Sequence, residues 1–128
     1  MAHILLLEPD KVIAGQITSY FANANHTVSA HSDPQQAVTS ADSHRPQLVI
    51  LELQLAGRSG VEFLYEFRSY PDWQDLPVVI FTNLPSGDLV SFSNSLQELN
   101  VAAVLRKSQS SLKELLSATE RSLIYETA

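Results

Sequence analysis

Acids, a hydroxyl and a lysine stand immediately after short apolar runs in this chain. Glu8 and Asp10 flank Pro9 after the run 4–7, Glu52 follows 48–51, Thr82 and Asn83 follow 78–81, and Arg106 and Lys107 follow 101–105. If those runs are parallel strands, all of these groups gather at the strands' carboxyl ends, where open α/β sheets hold their functional groups. Carboxylates facing a lysine and a hydroxyl favour a cationic ligand. A flavin or nucleotide phosphate needs backbone amides from a first loop rich in Gly, Ser or Thr, whereas this loop is acidic and Pro9 has no N–H. Other chemistries lack their parts. The absence of Cys removes disulfides, thiolate metal sites and a Cys nucleophile together. No Gly-x-Ser-x-Gly elbow occurs to support a hydrolase. His3, His26, His31 and His44 keep no metal-ligand spacing, so they are read as ordinary surface histidines and no metal site is expected.

The elements that must position these groups are legible from periodicity. Five apolar runs, at 4–7, 27–31, 48–51, 78–81 and 101–105, alternate with segments of helical period, which predicts an α/β fold with five parallel strands joined by crossover helices. Asp10 is a natural N-cap for a helix carrying Ile13, Ile17, Phe21 and Ala24, and Asn25 suits the left-handed position after it. Asp33 before Pro34 starts a second helix that must end before Pro46. Ser59 with Glu62, and Ser111 with Glu114, have capping-box spacing ahead of the third and fifth helices. Leu89, Phe92, Leu96 and Leu99 mark a fourth helix after a turn at Pro85, Ser86 and Gly87. Trp73 lies in a loop and is read as cover for the third helix, in preference to a partner anchor. The first, third and fourth runs are the most continuously apolar and belong inside the sheet. The second alternates and the fifth opens on Ala102 and Ala103, so these two suit the edges, giving a flavodoxin-like (βα)5 three-layer sandwich of strand order 2-1-3-4-5.

A chain of 128 residues, 45% hydrophobic and 17% charged, is expected to form a single domain over 1–128 with one sizeable sheet-centred core. Lys and Arg number 8 against 14 Asp and Glu, a net charge of −6, which argues against nucleic acid and anionic lipid as partners. No apolar run approaches a membrane span and the run 4–7 is too short for a signal-peptide core, so a cytoplasmic location is expected.

Four stretches resemble the receiver domain of two-component response regulators: 4–10 (Ile-Leu-Leu-Leu-Glu-Pro-Asp), 46–52 with Gly60 beyond it, 77–82, and 102–107. The likeness covers residues 3–124. It implies that the residue ending the third strand accepts a phosphoryl group, that paired acids after the first strand bind Mg²⁺, and that a Ser or Thr and a Lys contact the phosphoryl oxygens. Thr82 and Lys107 match the last two roles, with Glu8 and Asp10 forming the acidic pocket. Asp10 lies one position beyond the second acid of the pair and is read chiefly as a helix cap.

The departures from the family pattern are chemical. Glu52 stands where the phosphoacceptor aspartate is expected and carries its carboxylate one methylene further out, a displacement that in-line phosphoryl transfer tolerates poorly. Pro9 stands where a Mg²⁺-binding acid is expected. Ser108 replaces the proline usual after the lysine, and Val104 an aromatic. The chain therefore reads as a degenerate, or pseudo-, receiver. It is expected not to be an enzyme, to bind Mg²⁺ weakly or not at all and to hold no other cofactor. Its expected partner is a signalling protein such as a histidine kinase or an output protein, with a homodimer possible through the fourth helix, fifth strand and fifth helix by resemblance. The alternative is a working receiver phosphorylated on a crevice carboxylate. Two structural expectations follow: a direct Glu52–Lys107 ion pair, and a trans Lys107–Ser108 bond, since a cis bond without proline costs roughly 2.5–4 kcal/mol.

Overall fold

The computed structural model describes the backbone of residues 1–127 and the side chains of residues 1–123. Strand and helix alternate along the chain. The first half runs β1 (His3–Leu7), α1 (Lys11–Ala22), β2 (Thr27–His31), α2 (Pro34–Ser43) and β3 (Leu48–Leu51). A two-residue hairpin follows, β4 (Gln54–Leu55) and β5 (Arg58–Ser59), and then α3 (Gly60–Ser69) and a 3-10 turn (Pro71–Trp73). The chain continues through β6 (Val78–Thr82), α4 (Ser86–Glu98), β7 (Ala103–Arg106) and α5 (Leu112–Thr127). The main sheet is wholly parallel in the order β2-β1-β3-β6-β7. With the hairpin set aside, this is the flavodoxin-like order 2-1-3-4-5 expected from the apolar runs.

Alternation along the strands builds the two helical layers. Leu5, Leu7, Val49, Leu51, Val78 and Ile80 face one way, onto Ala37 and Ala41 of α2, Phe63, Leu64 and Phe67 of α3, and Leu96 of α4. Ile4, Leu6, Leu48, Ile50, Val79 and Phe81 face the other way, onto Ile17 and Phe21 of α1 and Leu115 of α5. Because the central strands are covered on both faces, they carry unbroken apolar runs over 4–7, 48–51 and 78–81. No helix among the described residues is long and apolar enough to cross a membrane.

The caps explain where the helices begin. Asp10 Oδ1 accepts from the N–H groups of Val12 and Ile13, and Asp33 Oδ2 from that of Gln36. At α5 the box is reciprocal: Glu114 N–H donates to Ser111 Oγ while Ser111 N–H donates to Glu114 Oε1. Ser59 caps α3 through Val61 N–H. Helix α4 begins at Ser86, inside the stretch expected to be a turn, so Gly87 is helical. Asn25 is left-handed, with φ 66°, as expected.

Trp73 is buried, its ring stacked 5.5 Å from Phe67 with the Arg45 guanidinium 5.1 Å from its centre, so it covers the end of α3. The histidines correct the expectation of surface residues. His26 is buried: its Nδ1 accepts from Ala2 N–H and its Nε2 lies 2.9 Å from Glu120 Oε2. His3 and His44 stack at 3.9 Å, and of the four only His44 is exposed. An imidazole has an apolar ring and two polar tips, so His26 and His3 pair both nitrogens, His3 with Thr27 Oγ1 and Ser29 Oγ, whereas the buried Nε2 of His31 has no partner among the described residues.

Gly60 sets the approach of α3 to the loop after β3. A Cβ there would fall 2.6 Å from Leu53 Cα and 2.8 Å from the Glu52 carbonyl oxygen, both backbone atoms that cannot yield independently. Gly60→Ala is expected to destabilise the fold by about 3 kcal/mol, the upper end of ordinary overpacking. Urea unfolding checks this, and a loss under about 1 kcal/mol would show that the loop moves freely.

Candidate functional site

Thr82 ends β6, while Glu8, Glu52 and Lys107 each sit one step beyond a strand and are still held by a sheet-type hydrogen bond. Glu8 N–H donates to the His31 carbonyl, Glu52 N–H to that of Leu7, and Lys107 N–H to that of Thr82. The chain is thus ordered up to the atoms that launch these side chains into the crevice between β1, β3 and β7.

There the side chains meet. Lys107 Nζ lies 2.5 Å from Glu8 Oε1 and 2.9 Å from Glu52 Oε1. The Glu52–Lys107 pair expected from the sequence is present, and Glu8 shares the same ammonium. All three are nearly inaccessible, with exposures of 4% for Glu8, 3% for Glu52 and 8% for the Lys107 side chain. Glu52 is saturated. Besides Lys107, its Oε1 accepts from Asn83 N–H at 3.0 Å, and its Oε2 accepts from Gln54 N–H at 2.9 Å and from the Thr82 hydroxyl. Thr82 is fully buried and its Oγ1 in turn accepts from Leu84 N–H at 3.1 Å, so the β6–α4 loop is tied to the Glu52 carboxylate. Glu8 Oε2 accepts from Asp10 N–H. Asp10 itself is exposed and serves α1 as its cap, outside the cluster. Arg106, adjacent to Lys107 in sequence, has a buried Nε without a partner among the described residues and does not join the carboxylates.

The two carboxylates are held differently. Burial pushes Glu52 up, but the Thr82 hydroxyl, the Gln54 N–H, the Lys107 ammonium and the Asn83 N–H outweigh it and hold the group below its ordinary value. Burial pushes Glu8 up, and there the lysine and the Asp10 N–H do not recover the difference, with the Glu52 charge adding to the rise. A depressed folded-state pKa stabilises above the unfolded value and loses that contribution as pH falls through the folded one. Glu52→Gln is therefore expected to be destabilising at pH 7 and progressively less so below pH 4.5, the ordinary value for this group. Stability measured against pH for both proteins checks this, and a pH-independent difference would show that the charge of Glu52 is immaterial.

A divalent cation does not fit these residues. The Lys107 ammonium stands between the two carboxylates that would ligate it, and Pro9 offers no third acid. No group of three or more His, Asp or Glu side chains that could hold a metal occurs among the described residues. The Lys107–Ser108 bond is trans, as expected, with no cis peptide among the described residues. Val104, where the family usually has an aromatic, is 45% exposed.

Sequence reasoning missed the two backbone donors to Glu52 and the role of Gly60. The donors carry no side-chain signature. The glycine's spacing from Glu52 was the available signal.

A family model described as the response regulator receiver domain matches residues 4–120. The regulatory protein VanRB of Enterococcus faecalis is 37% identical over 81 residues, spanning 63% of this chain and 36% of that protein. The response regulator Rcp1 of Synechocystis is 36% identical over 86 residues, spanning 67% of this chain and 56% of Rcp1. The chain thus spans less than two thirds of the length of either relative. The chemotaxis protein CheY4 of Vibrio cholerae superposes with a TM-score of 0.83 at 19% identity, covering 94% of this chain and 98% of CheY4, a likeness of fold.

Proposed function

Because the chain belongs to the response regulator receiver family of two-component signalling, we propose that residues 1–128 act in it as one pseudo-receiver unit, recognised by a partner protein without being phosphorylated. One observation carries this: Glu52, at the position the family uses for phosphoacceptance, has both oxygens occupied by four donors, including the Thr82 hydroxyl and the Lys107 ammonium. In the family those two side chains answer to the phosphoryl oxygens. Here a permanent carboxylate, one methylene longer than aspartate, takes their hydrogen bonds. It also draws in Thr82, and with it the start of the loop leading to α4. The crevice therefore holds internally what phosphorylation supplies elsewhere, and the unit acts by binding rather than by turning over phosphate. A histidine kinase or an output protein is the class of partner, and the face formed by α4, β7 and α5 is the one such domains use for outputs and dimers.

Intact-mass spectrometry after incubation with acetyl phosphate and Mg²⁺ tests the reading. The expected result is an unmodified mass and an unchanged affinity for any captured partner. A phosphoryl adduct that disappears in Glu52→Gln would overturn it in favour of a working receiver.

A further inference from the structure

At the opposite end of the sheet, where β6 and β7 begin, lies a cavity of about 750 Å³ that the receiver reading does not use. Its floor is apolar and small-featured. Leu76 and Pro77 enter β6, Ala103 opens β7, and Ala118 faces them from α5. Alanines at 102, 103 and 118 leave the space unfilled where the edge of the sheet meets the helix. The size suits a small organic ligand, for which pockets of roughly 300–1,000 Å³ are usual.

Its walls are fixed by one guanidinium. Arg68, at the end of α3, donates through Nη1 to the carbonyls of Trp73, Gln74 and Leu76, and through Nε and Nη2 to those of Leu99 and Asn100. The α3–β6 and α4–β7 connections form two sides of the cavity, so a single side chain braces both and the space does not close by loop movement. Such a preformed site binds without a large ordering cost.

The charge of the rim selects the ligand. The chain carries 8 Lys and Arg against 14 Asp and Glu, yet two arginines and a single acid, Asp75, line this cavity. Arg68 is engaged with the loops. Arg121 of α5 donates from Nη1 to Ser117 Oγ, while its Nε and Nη2 have no partner among the described residues. A guanidinium edge with two donors matches a carboxylate. We propose that this cavity binds a small organic carboxylate with an apolar body, the carboxylate held by Arg121 and the body lying over Leu76, Pro77 and the alanines.

The probe is hexanoate, with hexanamide as its uncharged counterpart, followed by backbone amide chemical shifts in a titration of the whole chain. Saturable binding is expected, with a dissociation constant of about 1 mM or tighter, as fits a fragment of this size. The shifts should be centred on Asp75, Ala102, Ala103 and Ser122. Arg121→Gln is expected to weaken hexanoate about tenfold, the worth of one charge-assisted hydrogen bond, and to leave hexanamide unaffected. Ala102→Leu, which fills an exposed part of the lining without entering the core, should weaken it similarly. Both variants should keep the native melting temperature. Absence of saturation by about 10 mM, equal binding of hexanamide, or shifts centred at the Glu52 crevice would each overturn the proposal. None of these results bears on whether Glu52 is phosphorylated.

Discussion

Replacing Lys107 by methionine is expected to destabilise the protein by about 3–5 kcal/mol at pH 7, the usual consequence of leaving buried charge without its partner. The ammonium lies within 3 Å of both Glu8 and Glu52, and no other side-chain cation stands against either carboxylate among the described residues. Methionine matches the lysine stem in bulk, so the loss isolates the charge from the packing. Without the ammonium, two buried carboxylates face each other and the folded-state pKa of at least one must rise. A group whose folded pKa lies above its unfolded one stabilises fully below the unfolded value and loses that contribution as pH rises through the folded one. The deficit of Lys107→Met should therefore shrink as pH falls toward 4.5, the ordinary value of both glutamates, while the native protein shows the opposite trend at Glu52. Urea unfolding at neutral and acidic pH measures both terms. A deficit under about 1 kcal/mol, or one constant with pH, would mean that the lysine is an ordinary strand-end cation. Adding Glu8→Gln to the methionine variant should recover part of the loss, since one buried charge is then gone.

Much of this site was legible because parallel sheets translate chain position into spatial position. Residues 8, 52 and 82 follow an apolar run directly and 107 follows one after Arg106, and once the runs pair in order 2-1-3-4-5 their side chains have one crevice to occupy. The caps were legible for a similar reason, as with Ser111 and Glu114, where both bonds of the box depend on side chains three residues apart. What escaped has no periodic or side-chain signature. The β4–β5 ladder is two residues long on each side and turns at Gly57, whose φ is 77°, so no alternation announces it. Gln54 and Asn83 reach Glu52 through their N–H groups, which every non-proline residue owns. The sequence pointed Lys107 at Glu52 and did not distribute it to Glu8, because sharing depends on side-chain reach inside the crevice. His26 was read as a surface residue, yet the tight turn after α1 carries it beneath the chain start, where Ala2 N–H and Glu120 satisfy both nitrogens.

If, as proposed, Glu52 and Pro9 are what keep this crevice from accepting a phosphoryl group, replacing both by aspartate should produce the reaction. Glu52→Asp withdraws the carboxylate by one methylene, which breaks its contacts with Thr82 and Lys107 and frees an oxygen to attack. Alone, that change leaves Lys107 paired with Glu8 and no acid at position 9, so a divalent cation still lacks charge and ligands. Adding Pro9→Asp supplies the missing carboxylate beside Glu8 and returns an N–H to the loop. The double variant is expected to take up one phosphoryl group from acetyl phosphate in a Mg²⁺-dependent reaction, where the native chain takes up none and each single variant little. The two changes should therefore be strongly non-additive, as for groups that act as one unit. Intact-mass spectrometry gives the stoichiometry, and calorimetry gives the Mg²⁺ affinity, which should rise in step. Labelling of the native chain as fast as the double variant would show that glutamate already serves as acceptor. A double variant that binds Mg²⁺ yet stays unlabelled would place the block elsewhere, with the trans bond after Lys107 and Val104 in place of an aromatic as the remaining departures.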